Sequence, residues 1–481
     1  MNWTDLISIL PLTALIVWAL LMLLAGLWLP KKWTLANPIL AILGLLGTGV
    51  LLALRAGVTL PGFGGMVQQD GFSVYLDGLF LLSGLLAVIL APAYLKRMGI
   101  DHYEYYALLL LSLSGMLLMA SATNLIMVFL ALELLSIPLY VLAGIARPKV
   151  ESEEAALKYF LLGSFASGFV LFGIAFLFGG TGSTGFSQIL GALQGGTANL
   201  TFVIAGAAFL LIGLGFKIAA VPFHSWAPDV YQGAPSSVTA FMAVGAKAAG
   251  FAALLRFFAM ALPSQSATLV PVFAGIAALT MLVGNLLAMV QINLKRVLAY
   301  IGIASAGYLL MAFVPFGNPV VQADALASAL FYLMSFTLAS FGAWAVLLML
   351  EHDDNTGLEL DNLAGLGKRA PLLALVMTVV MLSFTGIPLT LGFWGKFYLF
   401  RTAIAGGYTW LAVLGLLTSL PAAYVAFRVI QQMYFREGDV ELHPSYWTNF
   451  VAIFCALCVV VLSFIPAQLF ELAARAVLGG A

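Results

Sequence analysis

Apolar runs of about twenty residues recur along almost the whole chain, separated by short polar stretches. Each run is close to the ~20 residues an α-helix needs to cross the hydrocarbon core of a bilayer. The pattern predicts fourteen spans, at residues 6–29, 35–56, 74–95, 104–122, 124–146, 155–180, 201–231, 236–261, 268–291, 295–315, 324–350, 371–400, 408–434 and 449–475. They are numbered one to fourteen in that order. Spans seven and twelve are long and interrupted. The first run is too long for a signal-peptide core and lacks a basic start, so it reads as a retained span.

Composition narrows the class. Of 481 residues, 63% are hydrophobic and only 8% charged, and the mean hydropathy is +1.08. No soluble fold of this length looks like that; the chain reads as an all-α polytopic membrane protein. Lys and Arg balance Asp and Glu, 20 against 20, so nothing suggests nucleic acid as a partner. The lipid bilayer is the first partner. Loop cations then give an orientation. Lys31, Lys32, Lys96, Arg97, Arg147, Lys149, Lys295, Arg296, Lys368, Arg369 and Arg436 all fall in odd-numbered loops, with Arg401 the exception. The positive-inside rule makes the odd loops cytoplasmic and puts both termini outside. The most polar loop, 351–369, is then cytoplasmic, a solvated connector or a contact for a partner. Cys455 and Cys458 sit one turn apart in the last run, where cysteine packs as a small hydrophobe. No nucleotide loop, iron–sulfur spacing or haem motif appears, so no redox cofactor is expected on this chain.

Two interruptions stand out. Span seven carries Lys217, and five residues later Pro222 begins Pro222-Phe-His224-Ser-Trp-Ala-Pro-Asp229-Val-Tyr-Gln-Gly-Ala-Pro235. Span twelve carries Thr385-Gly-Ile-Pro388-Leu-Thr-Leu-Gly-Phe-Trp-Gly-Lys396. Proline removes a backbone donor and breaks a helix. In lipid such a break survives only where protein or water covers the freed polar groups. Matching breaks imply a repeat: spans four to eight (104–261) as one unit and nine to thirteen (262–437) as the second. Five spans per unit forces opposite orientation, the inverted-repeat plan of many transporters. Residues 1–103 then form three N-terminal spans, and 438–481 the C-terminal one.

Charges inside the membrane carry the chemistry. Each central charge costs about 2.5–3.5 kcal/mol on insertion scales, so four cost roughly 10–14 kcal/mol before pairing. Glu133 lies mid-span in Phe129-Leu-Ala-Leu-Glu133-Leu-Leu-Ser-Ile-Pro138. It is either satisfied by a structural partner or sets the proton affinity of a nearby lysine. Lys217, near the middle of residues 201–231, is too deep to snorkel easily and is the central proton-carrier candidate. Lys247 stands among small residues in Val244-Gly-Ala-Lys247-Ala-Ala-Gly250. These leave room for water or for close helix packing around a buried ion pair. Lys158 can pair with Glu154 one turn away or lie on the path. Lys396, near Arg401, either snorkels or carries protons. Lys295 beside Arg296 reads first as a topogenic charge. His224 follows the break; imidazole suits a relay near neutral pH, and a hydrogen-bonded structural role is the alternative. Asp229 is expected to cap or anchor its loop. Asp77, Arg256 and Tyr424 are polar groups on apolar spans, the first two without a visible role.

At Pro222–Pro235 the chain resembles the antiporter-like membrane subunits of proton-translocating NADH–quinone oxidoreductase, respiratory complex I. The resemblance extends through Glu133-Leu-Leu-Ser-Ile-Pro, Glu154-Ala-Ala-Leu-Lys158-Tyr-Phe, Asn293-Leu-Lys-Arg-Val-Leu-Ala-Tyr and Gly386-Ile-Pro-Leu-Thr-Leu-Gly-Phe-Trp-Gly-Lys396. It covers essentially the whole length. Asp-Val-Tyr-Gln-Gly-Ala-Pro is typical of the N-type branch rather than the L and M paralogues, and the lysine at 396 fits that branch. The family implies that Glu133 and Lys217 are a coupled pair, that Lys247 connects the halves and that Lys396 is the terminal carrier. Lys158, His224, Lys295 and Tyr424 match polar positions on the same axis. It also implies membrane-arm and peripheral-arm partner subunits, antiporter-like paralogues among them. FMN and iron–sulfur clusters would lie in those partners, with NAD and quinone as substrates of the complex. The setting would be a bacterial cytoplasmic membrane. Where many relatives have a histidine in span ten, this chain reads Ile303-Ala-Ser305-Ala-Gly-Tyr308. A cation/proton antiporter of the Mrp type is the alternative on the same fold. A non-conducting scaffold is a third reading, and it leaves the mid-span charges unexplained.

Overall fold

The computed structural model describes residues 3–28, 35–352 and 357–477. Lys31, Lys32 and residues 353–356 of the polar loop lie outside them. Among the described residues, twelve helices are long and apolar enough to cross a membrane. The shorter apolar helices Leu10–Gly26 and Pro371–Thr385 stand where span one and the first part of span twelve are expected. Helices therefore occupy all fourteen expected places.

Cross-links between loops sort them into two sets. Arg97, ending Gly71–Arg97, donates to the Leu348 carbonyl at 2.7 Å, at the end of Pro319–Leu350. Arg296 and Lys158 both pair with Asp229, and Lys368 and Arg369 meet Glu437 and Asp439. These join odd loops to odd loops. Thr123 donates to the Gly65 carbonyl, Asn124 to Thr184, and Arg401 to Asp324. Those join even loops to even loops. A missed or extra span would have scrambled the two sets.

Burial separates the interior from the lipid-facing rim. Over the most apolar window of Ser236–Ala261 every residue is buried, and 94% and 89% are buried in Pro319–Leu350 and Leu294–Phe313. Ala36–Ala53, Val150–Thr181 and Thr409–Phe435 reach only 33%. Spans eight, ten and eleven are thus the core. Alanine and glycine in span eight permit the close approach: a β-carbon on Gly250 would stand 2.8 Å from Ile218.

Both interrupted spans are broken. Span seven divides into Leu200–Lys217 and Trp226–Gly233, and span twelve into Pro371–Thr385 and Leu391–Ala405. Each break holds a non-glycine residue at positive φ, Ala219 at 56° and Leu389 at 71°. L-residues rarely adopt that conformation, and it persists only where surroundings enforce it. The lysines differ in placement: Lys217 ends the segment before its break, and Lys396 lies in the segment after its own.

Three features depart from the expected spans. The last is shorter than 449–475: Tyr446–Phe464 ends before Pro466, which has no N–H to continue the ladder and opens the separate helix Pro466–Arg475. A short helix, Phe186–Gln194, lies in the sixth loop. A hairpin pairs Leu60–Gly62 with Val67–Gln69, and the following Asp70 caps span three through the Ser73 N–H at 2.9 Å.

Candidate proton-transfer site

The broken helix of span seven delivers Lys217 into a polar pocket. Its stem lies against Gly250 of span eight. Its amine donates to Ser136 Oγ at 2.9 Å and to the Tyr159 hydroxyl at 3.0 Å. Tyr159 stacks on Trp226, and Trp226 donates across the break to the Phe216 carbonyl at 2.9 Å. The Phe216 carbonyl also accepts from the Ala219 N–H at 3.0 Å, so the two sides of the break are tied together at this oxygen. Glu133 lies one turn from Ser136 on Leu125–Ala143 and accepts from Ser167 Oγ at 2.5 Å. No direct ion pair joins Glu133 and Lys217 among the described residues. Each has its own hydroxyl partner, Ser167 for Glu133 and Ser136 for Lys217, and the carboxylate lies in electrostatic reach of the amine.

Lys247 follows a wide turn, Met242–Ala246, of the π type often found at functional positions. Its amine donates to the Gly302 carbonyl of span ten at 2.5 Å. A β-carbon at Gly302 would stand 2.8 Å from that amine. Gly302→Ala therefore moves the lysine while leaving the helices in place. Coupled turnover is expected to fall about tenfold, since a displacement near 1 Å at a reacting group can cost that much or more. Proton uptake per assembled complex in proteoliposomes measures it, and unchanged uptake would remove Gly302 from the site.

Six residues beyond Gly302, Tyr308 presents its ring to Lys396, whose amine is 4.0 Å from the ring centroid and donates to the Thr385 carbonyl at 3.0 Å. The Tyr308 hydroxyl meets Thr418 at 3.1 Å and Asn285 at 3.3 Å. Asn285, Ser305, Tyr308 and Thr385 line one cavity of about 10 Å³, room for about one water.

Lys217, Lys247 and Lys396 are 4%, 3% and 3% exposed. Each is held by neutral oxygens. Lys295 is different. It is as buried as they are, not a surface topogenic charge, because it forms an ion pair with Glu351 at 2.7 Å. Lys158 is half-exposed and pairs with Glu154 and Asp229. Those residues line a cleft of about 420 Å³ with Glu151, Gln232 and Asn293. Asp229 anchors its segment through Lys158 and Arg296, as expected of it. His224 sits in the break, its Nδ1 buried without a hydrogen bond among the described residues. Tyr424 is not brought to the axis; it is 53% exposed on the rim. Cys455 is buried and Cys458 half-buried, both as free thiols.

Charge alone drew attention in the sequence, so hydroxyl and carbonyl partners were missed: Ser136, Tyr159, Ser167, Gly302 and Tyr308. Ser136 carried a signal, a hydroxyl three residues after a mid-span carboxylate. Glu351 was counted with a polar loop.

The family profile described as NADH:quinone oxidoreductase/Mrp antiporter, TM matches residues 122–420. A Chloroflexus aggregans protein named NADH-quinone oxidoreductase subunit N is 42% identical over 485 residues, covering 99% of this chain and 98% of that one. A chain of respiratory complex I from Thermus thermophilus, solved with bound aureothin, superposes with a TM-score of 0.82 at 36% identity, over 96% of this chain and 99% of that one. A chain of the Mrp complex from Dietzia sp. superposes with a TM-score of 0.85 at 20% identity, over 99% and 97%, a likeness of fold.

Proposed function

The chain belongs to the NADH:quinone oxidoreductase/Mrp antiporter transmembrane family, among the N-type subunits of NADH–quinone oxidoreductase, and from this we propose that it moves protons along Glu133, Lys217, Lys247 and Lys396. It is a multi-pass membrane subunit of a multisubunit, proton-translocating respiratory enzyme. One observation carries the residue assignment: three buried amines lie along spans seven, eight and twelve, each held by neutral hydroxyls or carbonyls. Such an amine gains or loses a proton without breaking an ion pair. Arg256, by contrast, is locked to Asp70.

In this reading the cleft around Lys158 and Asp229 is the cytoplasmic mouth. Tyr159, beside Lys158 in sequence, leads from it to Lys217. Lys247 and the Gly302 carbonyl bridge spans eight and ten, and Tyr308 hands on to Lys396. Ser305 and one water replace the imidazole of relatives. NADH oxidation and quinone reduction belong to partner subunits that carry FMN and iron–sulfur clusters. They couple to this chain by a charge or conformational change that alters Glu133. Membrane-arm neighbours include antiporter-like paralogues. The two inverted units, 104–261 and 262–437, lie in a bacterial cytoplasmic membrane with both termini outside.

Glu133→Gln tests the coupling. The amide keeps an acceptor for Ser167 but removes the charge that acts on Lys217. NADH-driven turnover of the assembled complex is expected to fall several-fold, by about 1 kcal/mol or more in barrier. Turnover equal to the unmodified complex counts against the pair.

A further inference from the structure

Behind the cleft lies a second polar cluster. The Lys295 amine donates to the Ala234 carbonyl at 3.2 Å and the Gln232 carbonyl at 3.4 Å. Gln232 also lines the cleft. On its other side Lys295 meets Glu351 at 2.7 Å. Glu351 is fully buried at the end of span eleven, and the Tyr94 hydroxyl, which accepts from Ser236 N–H at 3.0 Å, faces it. Glu351 Oε1 is held by Lys295, while Glu351 Oε2, Ser236 Oγ, Ser237 Oγ and the Tyr105 hydroxyl have no hydrogen bond of good geometry among the described residues. Tyr105 faces Ser237. Buried polar atoms are normally satisfied by protein or ordered water, so Glu351 Oε2 and Ser236 Oγ, joined through Tyr94, call for water as a partner. A pair kept only for stability gains little from such surroundings, because buried ion pairs roughly break even against apolar replacements.

We propose that Glu351 is a proton-loading carboxylate, supplied from the cleft through Lys295 and discharging toward Lys247. Seven residues separate Lys295 from Gly302 on one helix face, about 10 Å along its axis, and the Gly302 carbonyl holds Lys247. In the transfer an N–H bond of the Lys295 ammonium breaks and an O–H bond forms on Glu351, leaving both neutral. Water in the cleft reprotonates the amine, and the carboxyl releases its proton inward. One proton enters and one leaves per cycle. This is a second cytoplasmic input that joins the axis past Lys217, and it rests on the lysine-axis reading above.

The test is the double variant Glu351→Gln/Lys295→Met in the assembled complex, with Lys396→Met alongside. Removing both charges leaves no unpaired ion, so a structural pair predicts an unchanged proton-to-electron ratio. The inference predicts a lowered ratio per assembled complex. If Lys396→Met loses pumping and the double variant does not, the Glu351 input is overturned and the axis stands. If Lys396→Met pumps normally, the axis itself fails. Should the double variant not assemble, Glu351→Asp decides: its shorter stem withdraws the carboxylate from Lys295, and an undiminished ratio overturns the input.

Discussion

Lys217→Met leaves the complex assembled and lowers NADH-driven proton translocation by about a hundredfold or more, the lower end of what losing a positioned proton carrier costs. Methionine fills the stem's volume beside Gly250 without strain. Ser136 and Tyr159 each lose a donor but keep hydroxyls that serve as donor or acceptor, so little stability is at stake. Lys217→Arg is not expected to rescue. Guanidinium keeps its proton under all these conditions, and its planar fork does not reproduce the compact amine between Ser136 and Tyr159. Proton-to-electron ratios in reconstituted vesicles, normalised to assembled complex, give the measurement. A normal ratio for Lys217→Met would falsify its role as carrier.

Arg256→Met acts on stability. Its guanidinium is fully buried, binds both Asp70 oxygens at 2.8 and 2.7 Å, and lies 4.9 Å from the Phe72 ring centre. Asp70 is also the helix cap of span three. Removing the arginine strands that carboxylate and takes a counter-charge from buried Asp77, which lies in its electrostatic reach. Breaking a buried pair on one side costs about 3–5 kcal/mol. The amount of assembled complex should drop, with faster thermal inactivation of what remains. Adding Asp70→Asn removes the stranded charge and keeps a capping side chain, so it should recover much of the loss. Wild-type abundance and inactivation rate in the single variant would show that the pair is dispensable.

What the sequence disclosed followed what the bilayer forbids. Lipid tolerates neither unpaired backbone nor stray charge, so spans, breaks and mid-span lysines were all visible in the text. Partners were not. Tyr308 and Lys396 are far apart in the chain, as are Lys247 and Gly302, and no local pattern announces either contact. Lys295 misled because its neighbour Arg296 is a surface cation while Lys295 turns inward to Glu351. The helix Pro466–Arg475 falls inside the expected last span because only a single proline separates it from the apolar run, although Gln468, Glu471 and Arg475 make it more polar.

Span eight has no lipid-facing residue in its central window, yet it carries both Lys247 and Arg256. That bears on how the chain is made. Asp70 precedes Arg256 by 186 positions, so the carboxylate at the start of span three is already made when the arginine leaves the ribosome. Lys247 has no such reception: the carbonyl that holds it is 55 residues further on. During synthesis the arginine can dock span eight first, while the amine proposed to carry protons waits for span ten to be born.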